Sequence, residues 1–184
     1  HRLARGLLRW LEADALLTQG SDDVAHDAHL SASEDLRGPE GSQALVAMAR
    51  RCADEWTARG ERERARKWLA LARSELGRSP DPNALADTLR ISGNLAAQAG
   101  ELVGADALYD EALATLGDRS GVGRVRTFIR LGQGAIALAR RRFTEAEEAF
   151  AAAAIDAVGH PLAQAAVAWR RAELALRQGR RAQA

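Results

Sequence analysis

Cysteine and aromatic residues are scarce in this sequence of 184 residues. Cys52 is the only cysteine, which excludes an intramolecular disulfide and a metal site built from several cysteines. Aromatic residues make up 4% of the chain and hydrophobic residues 47%, so the apolar content is mostly Ala and Leu, the best helix formers. Few β-branched residues remain to fill a sheet. The composition therefore predicts an all-α fold.

Neither sign of charge dominates, because 26 basic residues stand against 25 acidic ones. Without a strong field of one sign, we expect no direct contact with nucleic acid or with an anionic membrane. No apolar run approaches the roughly 20 residues that a transmembrane helix needs, and the first residues lack the apolar stretch of a signal peptide. We therefore expect a cytoplasmic protein.

A pattern that closes a helix recurs along the chain. It consists of the pairs Gln19-Gly20, Arg59-Gly60, Ala99-Gly100, Arg140-Arg141 and Gln178-Gly179. Five residues after each pair stands an alanine, and these alanines are Ala25, Ala65, Ala105, Ala146 and Ala184, spaced by 40, 40, 41 and 38 residues. A glycine in the left-handed conformation ends a helix and lets the chain reverse into a partner helix. The pattern therefore predicts helical hairpins whose two helices touch at the alanines.

Small residues also stand seven positions before each turn, at Ala13, Ala53, Gly93, Gly134 and Ala172. A glycine within a helix costs about 1 kcal/mol relative to Ala, so Gly93 and Gly134 indicate close helix contact. The predicted helices cover approximately 2–19, 22–36, 42–59, 61–76, 83–99, 101–116, 122–140, 143–157, 161–178 and 180 onward. We also expect Asp81, Ser42 and Ser120 to cap helices.

The repeats resemble the tetratricopeptide repeat family, in its long form of about 40 residues per repeat. The best match is Gly134, Phe143, Ala146, Phe150 and Ala153, followed by Gly93, Gly100, Leu102, Ala105, Tyr109 and Ala112. This resemblance implies a right-handed α-solenoid of about five hairpins with the last one incomplete. Repeats of this length are similar to those of bacterial multidomain signalling regulators.

The loops between repeats are too short to be linkers, so we expect one repeat domain over residues 1–184. Its repeats cover approximately 1–40, 41–80, 81–120, 121–159 and 160–184. Because the chain lacks an initiator Met and stops within a repeat, we expect it to be a fragment of a longer protein with further domains.

Catalytic signatures are missing from the sequence: there is no Ser-His-Asp arrangement, phosphate-binding loop or paired cysteine motif. His26 and His29 have a spacing that could offer two ligands to one metal ion, but we interpret them as solvated or seam residues because a third ligand is not evident. Cys52 is interpreted as a small core residue. We therefore expect no enzymatic activity, no cofactor and no metal.

In a right-handed array the first helices of successive hairpins line a concave groove suited to a peptide or helix. Aligning the repeats at their turns predicts a partner-binding groove formed by Trp10, Asp14, Arg50, Asp54, Arg90, Asn94, Trp169 and Glu173. Trp is common at binding hot spots, but Trp10 and Trp169 are equally compatible with packing against a neighbouring or missing hairpin.

The leading hypothesis is a protein–protein or peptide interaction scaffold, or a regulatory module of a bacterial signalling protein, that binds a partner segment in this groove. The alternative is the ligand- or peptide-sensing domain of a bacterial transcriptional regulator.

Overall fold

A computed structural model describes residues 1–179 of the chain. This part is entirely α-helical and contains nine helices without a strand. The helices are α1 (Arg2–Thr18), α2 (Asp22–Asp35), α3 (Ser42–Ala58), α4 (Arg62–Arg78), α5 (Pro82–Gln98), α6 (Leu102–Leu116), α7 (Gly123–Ala139), α8 (Phe143–Asp156) and α9 (Pro161–Arg177). The all-α prediction is confirmed, and all nine predicted helices in this range occur with ends shifted by at most two residues. The helix predicted from residue 180 lies outside the described residues.

Helices that are consecutive in sequence pack against each other, as α1 does with α2, α3 with α4, and α7 with α8. Each of these pairs is joined by a short turn that reverses the chain. At the turns after α1, α3, α5 and α9, Gly20, Gly60, Gly100 and Gly179 have φ between 74° and 82°, and at the turn after α7 Arg141 takes the same conformation with φ 60°. The left-handed conformation predicted at the closing pairs is therefore present at all five.

The turns share one hydrogen-bond pattern. At the second turn the N–H of Glu61 donates to the carbonyl oxygen of Trp56 at 2.9 Å, and the N–H of Gly60 donates to that of Thr57 at 3.0 Å. This pair of bonds defines the Schellman motif, which satisfies carbonyl groups left open at a helix end. The same pair closes α1, α5 and α7, so the repeated sequence signal corresponds to one repeated backbone geometry.

The alanines that follow the turns lie at the seam between the paired helices. Ala25, Ala65, Ala105 and Ala146 are all fully buried, with no accessible surface. The prediction that they mark helix contacts is confirmed for these four, and Ala184 lies outside the described residues.

Two helical glycines allow large aromatic side chains to approach the backbone. A Cβ atom added to Gly93 would lie 2.5 Å from Cε1 of Tyr109, and one added to Gly134 would lie 2.3 Å from Cε1 of Phe150. Both distances are far below van der Waals contact, so these positions require glycine as long as the rings stay in place. The predicted close approach of the helices is confirmed at both sites.

Asp81 caps α5 as predicted, since its carboxylate accepts hydrogen bonds from the N–H groups of Asn83 and Ala84 at 2.9 and 3.2 Å. The predicted caps at Ser42 and Ser120 are wrong. Ser42 is already the first residue of α3, and Ser120 lies two residues before Val122, the residue that precedes α7.

The chain divides into two compact units, His1–Ala84 and Leu85–Ala184. The N-terminal unit is built around the buried rings of Trp56 and Trp68. The C-terminal unit contains one apolar cluster around Tyr109 and another around Phe150. That residues 1–184 form a single repeat domain stays a prediction.

Candidate functional site

In the N-terminal unit, α1 and α3 carry four of the predicted groove residues. Trp10 and Asp14 lie one helical turn apart on α1, and Arg50 and Asp54 are related in the same way on α3. All four side chains are half-buried. They are therefore partly accessible to a binding partner.

Asp14 connects three helices through its carboxylate. Oδ1 lies 3.1 Å from Nε2 of His29 on α2, and Oδ2 forms an ion pair with Arg51 on α3, whose Nε lies 3.1 Å away. Because both oxygens are used in this way, Asp14 holds its neighbours in place as well as facing solvent. The sequence singled out Asp14 but not its link to His29 and Arg51.

A pocket of about 60 Å³ opens beside Asp14. Its lining consists of Asp14, Leu17, Thr18, His29, Arg51, Cys52, Glu55 and Arg59. This volume suits ordered water or the end of one side chain, since ligand pockets usually measure about 300–1,000 Å³. Burial raises the pKa of the Cys52 thiol, which keeps it protonated and unreactive. Cys52 is buried, as predicted for a small core residue.

His29 is a buried seam residue, and His26 borders a tryptophan cluster. The ring of His26 stands edge-on to Trp56 and Trp68, with centroid distances of 5.6 and 6.1 Å. Burial lowers the pKa of both histidines, and for His29 it outweighs the opposing effect of Asp14. Among residues 1–179, no group of three or more His, Cys, Asp or Glu side chains is arranged to hold a metal ion.

Sequence reasoning did not find this tryptophan cluster. Trp56 is fully buried, and the guanidinium of Arg64 lies over its ring at 4.7 Å from the centroid. The signal was present in the sequence, because Trp56 stands four residues before the turn at Gly60 and Trp68 three after the seam residue Ala65.

In the C-terminal unit, the predicted residues Arg90 and Asn94 are tied to neighbours. Arg90 is only 9% exposed, and its Nε donates to Oδ1 of Asp87 at 2.7 Å. The amide oxygen of Asn94 accepts a hydrogen bond from the Tyr109 hydroxyl at 2.7 Å. Burial raises the pKa of Tyr109 to about 12, so the hydroxyl remains a donor at neutral pH. Of these two predicted groove residues, Asn94 thus links α5 to α6, whereas Arg90 pairs with Asp87 within α5.

The other two predicted residues of this unit lie on α9. Trp169 is 70% exposed, the larger part of its ring facing solvent. Glu173 accepts hydrogen bonds from Arg170 at 2.8 Å and from Arg177 at 3.1 Å. Burial alone would raise the pKa of Glu173, but these two guanidinium groups lower it below its ordinary value.

A larger pocket of about 420 Å³ lies between α6, α7 and α8 and includes none of the predicted residues. Its charged lining includes Asp106, Arg130, Arg140, Glu145 and Glu148. Arg140 donates to Asp106 across the pocket at 3.0 Å. Aligning the repeats at their turns could not predict this pocket, because the residues that line it lie on other helix faces than the predicted groove residues.

Comparison with protein-family models, curated proteins and solved structures gave no significant match. The resemblance to tetratricopeptide repeats therefore rests on the internal repeats of this chain. Among the helices of residues 1–179, none combines the length and the hydropathy that a membrane span requires.

Proposed function

We propose that the chain is a solenoid of tetratricopeptide-like hairpins whose role is to bind a partner protein segment. The observation that carries this proposal is the repeated hairpin itself, with the same Schellman turn and the same fully buried alanine in four successive repeats. Such arrays present the same face of each first helix side by side, and extended surfaces of this kind serve recognition.

The proposed contact surface of the N-terminal unit consists of Trp10, Asp14, Arg50 and Asp54. It offers one aromatic ring, two carboxylates and one guanidinium, all half-buried. A partner segment with both apolar and polar side chains fits this mixture, since the ring supplies apolar area and the guanidinium recognises carboxylates. In the C-terminal unit we include Arg90, Asn94 and Glu173 as positioned polar groups. We propose that the protein is cytoplasmic, belongs to a bacterial signalling system and performs no catalysis.

Selection from a displayed random peptide library tests this proposal. Peptides selected on the wild-type chain should lose at least about tenfold in affinity for Arg50→Ala, which corresponds to about 1.4 kcal/mol. Arg66→Ala on α4 is the matched control, because Arg66 is exposed and pairs with Glu63 of its own helix at 2.6 Å. Equal loss in both variants would refute the proposed surface, and failure to select any peptide would refute the binding role.

A second candidate function is a sensor for a small ligand or short peptide, and the 420 Å³ pocket favours it. Its volume falls within the range of ligand pockets, and its mixed charges suit a zwitterionic compound. Thermal shift with a set of amino acids and dipeptides tests this function. A stabilisation that is lost in Arg140→Ala supports the sensor, whereas unchanged melting with the whole set argues against it.

A further inference from the structure

The tryptophan cluster of the N-terminal unit and the pocket of about 420 Å³ in the C-terminal unit occupy equivalent places in their hairpins. The position four residues before the left-handed residue of the turn holds Trp56 in α3 and Ala137 in α7. The position eight residues after it holds Trp68 in α4 and Ala149 in α8. Both tryptophans are buried, and both alanines line the pocket. The pocket therefore lies where the N-terminal unit has two indole rings.

The third wall is also equivalent in the two units. His26 on α2 and Asp106 on α6 both stand six residues after the left-handed glycine of their turn. The ring of His26 stands edge-on to both indoles, and Asp106 lines the pocket. Three helices thus build the same space in each unit, filled by indoles in one and open in the other. Because Leu113 and Ala152 add to its apolar lining, the pocket suits a flat aromatic ring.

The charge at two positions of the pocket lining differs in sign between the units. Four and seven residues after the left-handed residue, α4 has Arg64 and Lys67, whereas α8 has Glu145 and Glu148. Both glutamates line the pocket, and both are exposed at its mouth. Two carboxylates beside an apolar space favour a ligand that carries a positive charge next to its ring, such as an ammonium group.

Arg140 is the counterpart of Arg59, since each stands one residue before the left-handed residue of its turn. The guanidinium of Arg59 lies over the Trp56 ring, 5.9 Å from its centroid. Arg140 can stack on a ligand ring in the same way. It donates to Asp106 through Nη1 at 3.0 Å, and a guanidinium carries further N–H donors. These donors suit a carboxylate of the ligand.

We propose that the pocket between α6, α7 and α8 binds an aromatic α-amino acid. Its ring lies against Ala137 and Ala149, in the space that indoles fill in the other unit. Its ammonium group faces Glu148, and its carboxylate meets Arg140. This inference rests on the second function proposed above, the ligand sensor, and names the class of ligand that the sensor recognises.

Isothermal titration calorimetry with L-tryptophan and L-leucine tests this proposal. Tryptophan should bind the wild type with a Kd below about 1 mM, and leucine should bind at least about tenfold more weakly because it lacks the ring. Tryptamine lacks the carboxylate and indole-3-propionate lacks the ammonium group, so each should also bind at least about tenfold more weakly than tryptophan. Equal affinity for tryptophan and either analogue would overturn the amino-acid class. Leucine bound as tightly as tryptophan would overturn the inference and leave the sensor standing, whereas no binding of any amino acid would overturn both.

Variants of α8 locate the site. Ala149→Trp restores the side chain that α4 has at this position, so it should fill the pocket and abolish tryptophan binding without lowering the melting temperature. Glu148→Gln keeps the shape of the pocket and should weaken tryptophan binding at least about tenfold, because the ammonium group loses its charged partner. Glu147→Gln is the matched control, since Glu147 is exposed on the same helix outside the pocket lining, and it should bind like the wild type.

The two glutamate variants keep the test decisive where Ala149→Trp does not fold. Wild-type affinity for tryptophan in Glu148→Gln, or equal weakening in Glu148→Gln and Glu147→Gln, would overturn the proposal. A folded Ala149→Trp variant that still binds tryptophan would overturn it as well.

Discussion

The hairpin of α1 and α2 and the hairpin of α7 and α8 share a turn and a seam alanine but differ in the residue four positions beyond that alanine. In the latter hairpin this residue is Phe150, which is fully buried within an apolar cluster. In the former it is His29, equally buried but only 3.1 Å from an oxygen of Asp14. The turn and the alanine therefore specify the hairpin, and this position accepts an apolar or a polar side chain.

The small residue on the facing helix is smaller in the hairpin where that side chain is larger. Gly134 stands opposite Phe150, whereas α1 has Ala13 at the corresponding position. A phenyl ring needs the space of a missing Cβ, and an imidazole is accommodated next to an alanine. The comparison indicates that the combined volume of the two facing side chains stays similar in the two hairpins, while their polarity differs.

The strongest test of the shared seam is Ala105→Leu. Ala105 is fully buried between α5 and α6, so three added carbon atoms should overpack the seam and lower the free energy of unfolding by about 1–3 kcal/mol. Ala107→Leu is the matched control on the same helix, because Ala107 is exposed and should tolerate the change. Urea denaturation measures the free energy of unfolding of both variants. Equal stability of the two would show that Ala105 does not lie at the contact between the helices.

The next largest effect is expected for Gly134→Ala. The new Cβ would lie 2.3 Å from the buried Phe150 ring, and the cost of displacing the ring should exceed the helix propensity gained, for a net loss of about 1–2 kcal/mol. Gly104→Ala has nothing within 4 Å of its new Cβ and should instead stabilise by up to about 1 kcal/mol.

The double variant Gly134→Ala with Phe150→Leu converts this pair to the Ala and Leu found in α3 and α4 at Ala53 and Leu69. The double variant should lose less free energy of unfolding than the sum of the two single losses, by at least about 0.5 kcal/mol in a double-mutant cycle. Additive effects would show that the two side chains do not share one volume.

Helices, turns and seam were predictable from the sequence, because each depends on residues close together in the chain. Gly100 predicts a turn and Ala105 predicts a contact without knowledge of any other segment. The surroundings of the candidate site were not predictable in this way. The link from Asp14 to His29 and Arg51 depends on the packing of three helices, and the 420 Å³ pocket depends on three others. Aligning the repeats at their turns identified equivalent residues of the first helices, but it could not predict how exposed each one is. Arg90 is nearly buried, whereas Trp169 is largely exposed.

The fourth turn differs from the others by one residue, and Arg141→Gly tests what this difference costs. Arg141 has φ 60°, a left-handed conformation that disfavours side chains with a Cβ. Replacement by glycine should stabilise the protein by about 0.5–1 kcal/mol, which chemical denaturation can detect. Gly100→Arg makes the reverse change at φ 82° and should destabilise by a similar amount. If both variants unfolded like the wild type, the left-handed turn would not limit stability.

The smallest effect concerns pH, and it tests the difference between His29 and Phe150 at equivalent seam positions. Burial lowers the pKa of His29 in the folded state, despite the neighbouring Asp14, so the folded state favours the neutral ring. As pH falls below about 6.5, the unfolded chain takes up a proton that the folded chain does not, and the free energy of unfolding decreases. Thermal melting between about pH 8 and pH 5 should therefore show a falling midpoint. His26 has a lowered pKa for the same reason and contributes to this fall.

His29→Leu removes one titrating group and leaves Asp14 paired with Arg51, so its melting midpoint should depend less on pH over this range. The control is His160→Gln, because His160 lies in the turn before α9 and belongs to the C-terminal unit. If the polar seam of α1 and α2 makes this hairpin sensitive to acid, the slope of the melting midpoint against pH should decrease only in His29→Leu. An unchanged slope in that variant would mean that His29 gains its proton equally in both states, and the contrast between the two hairpins would then be one of shape alone.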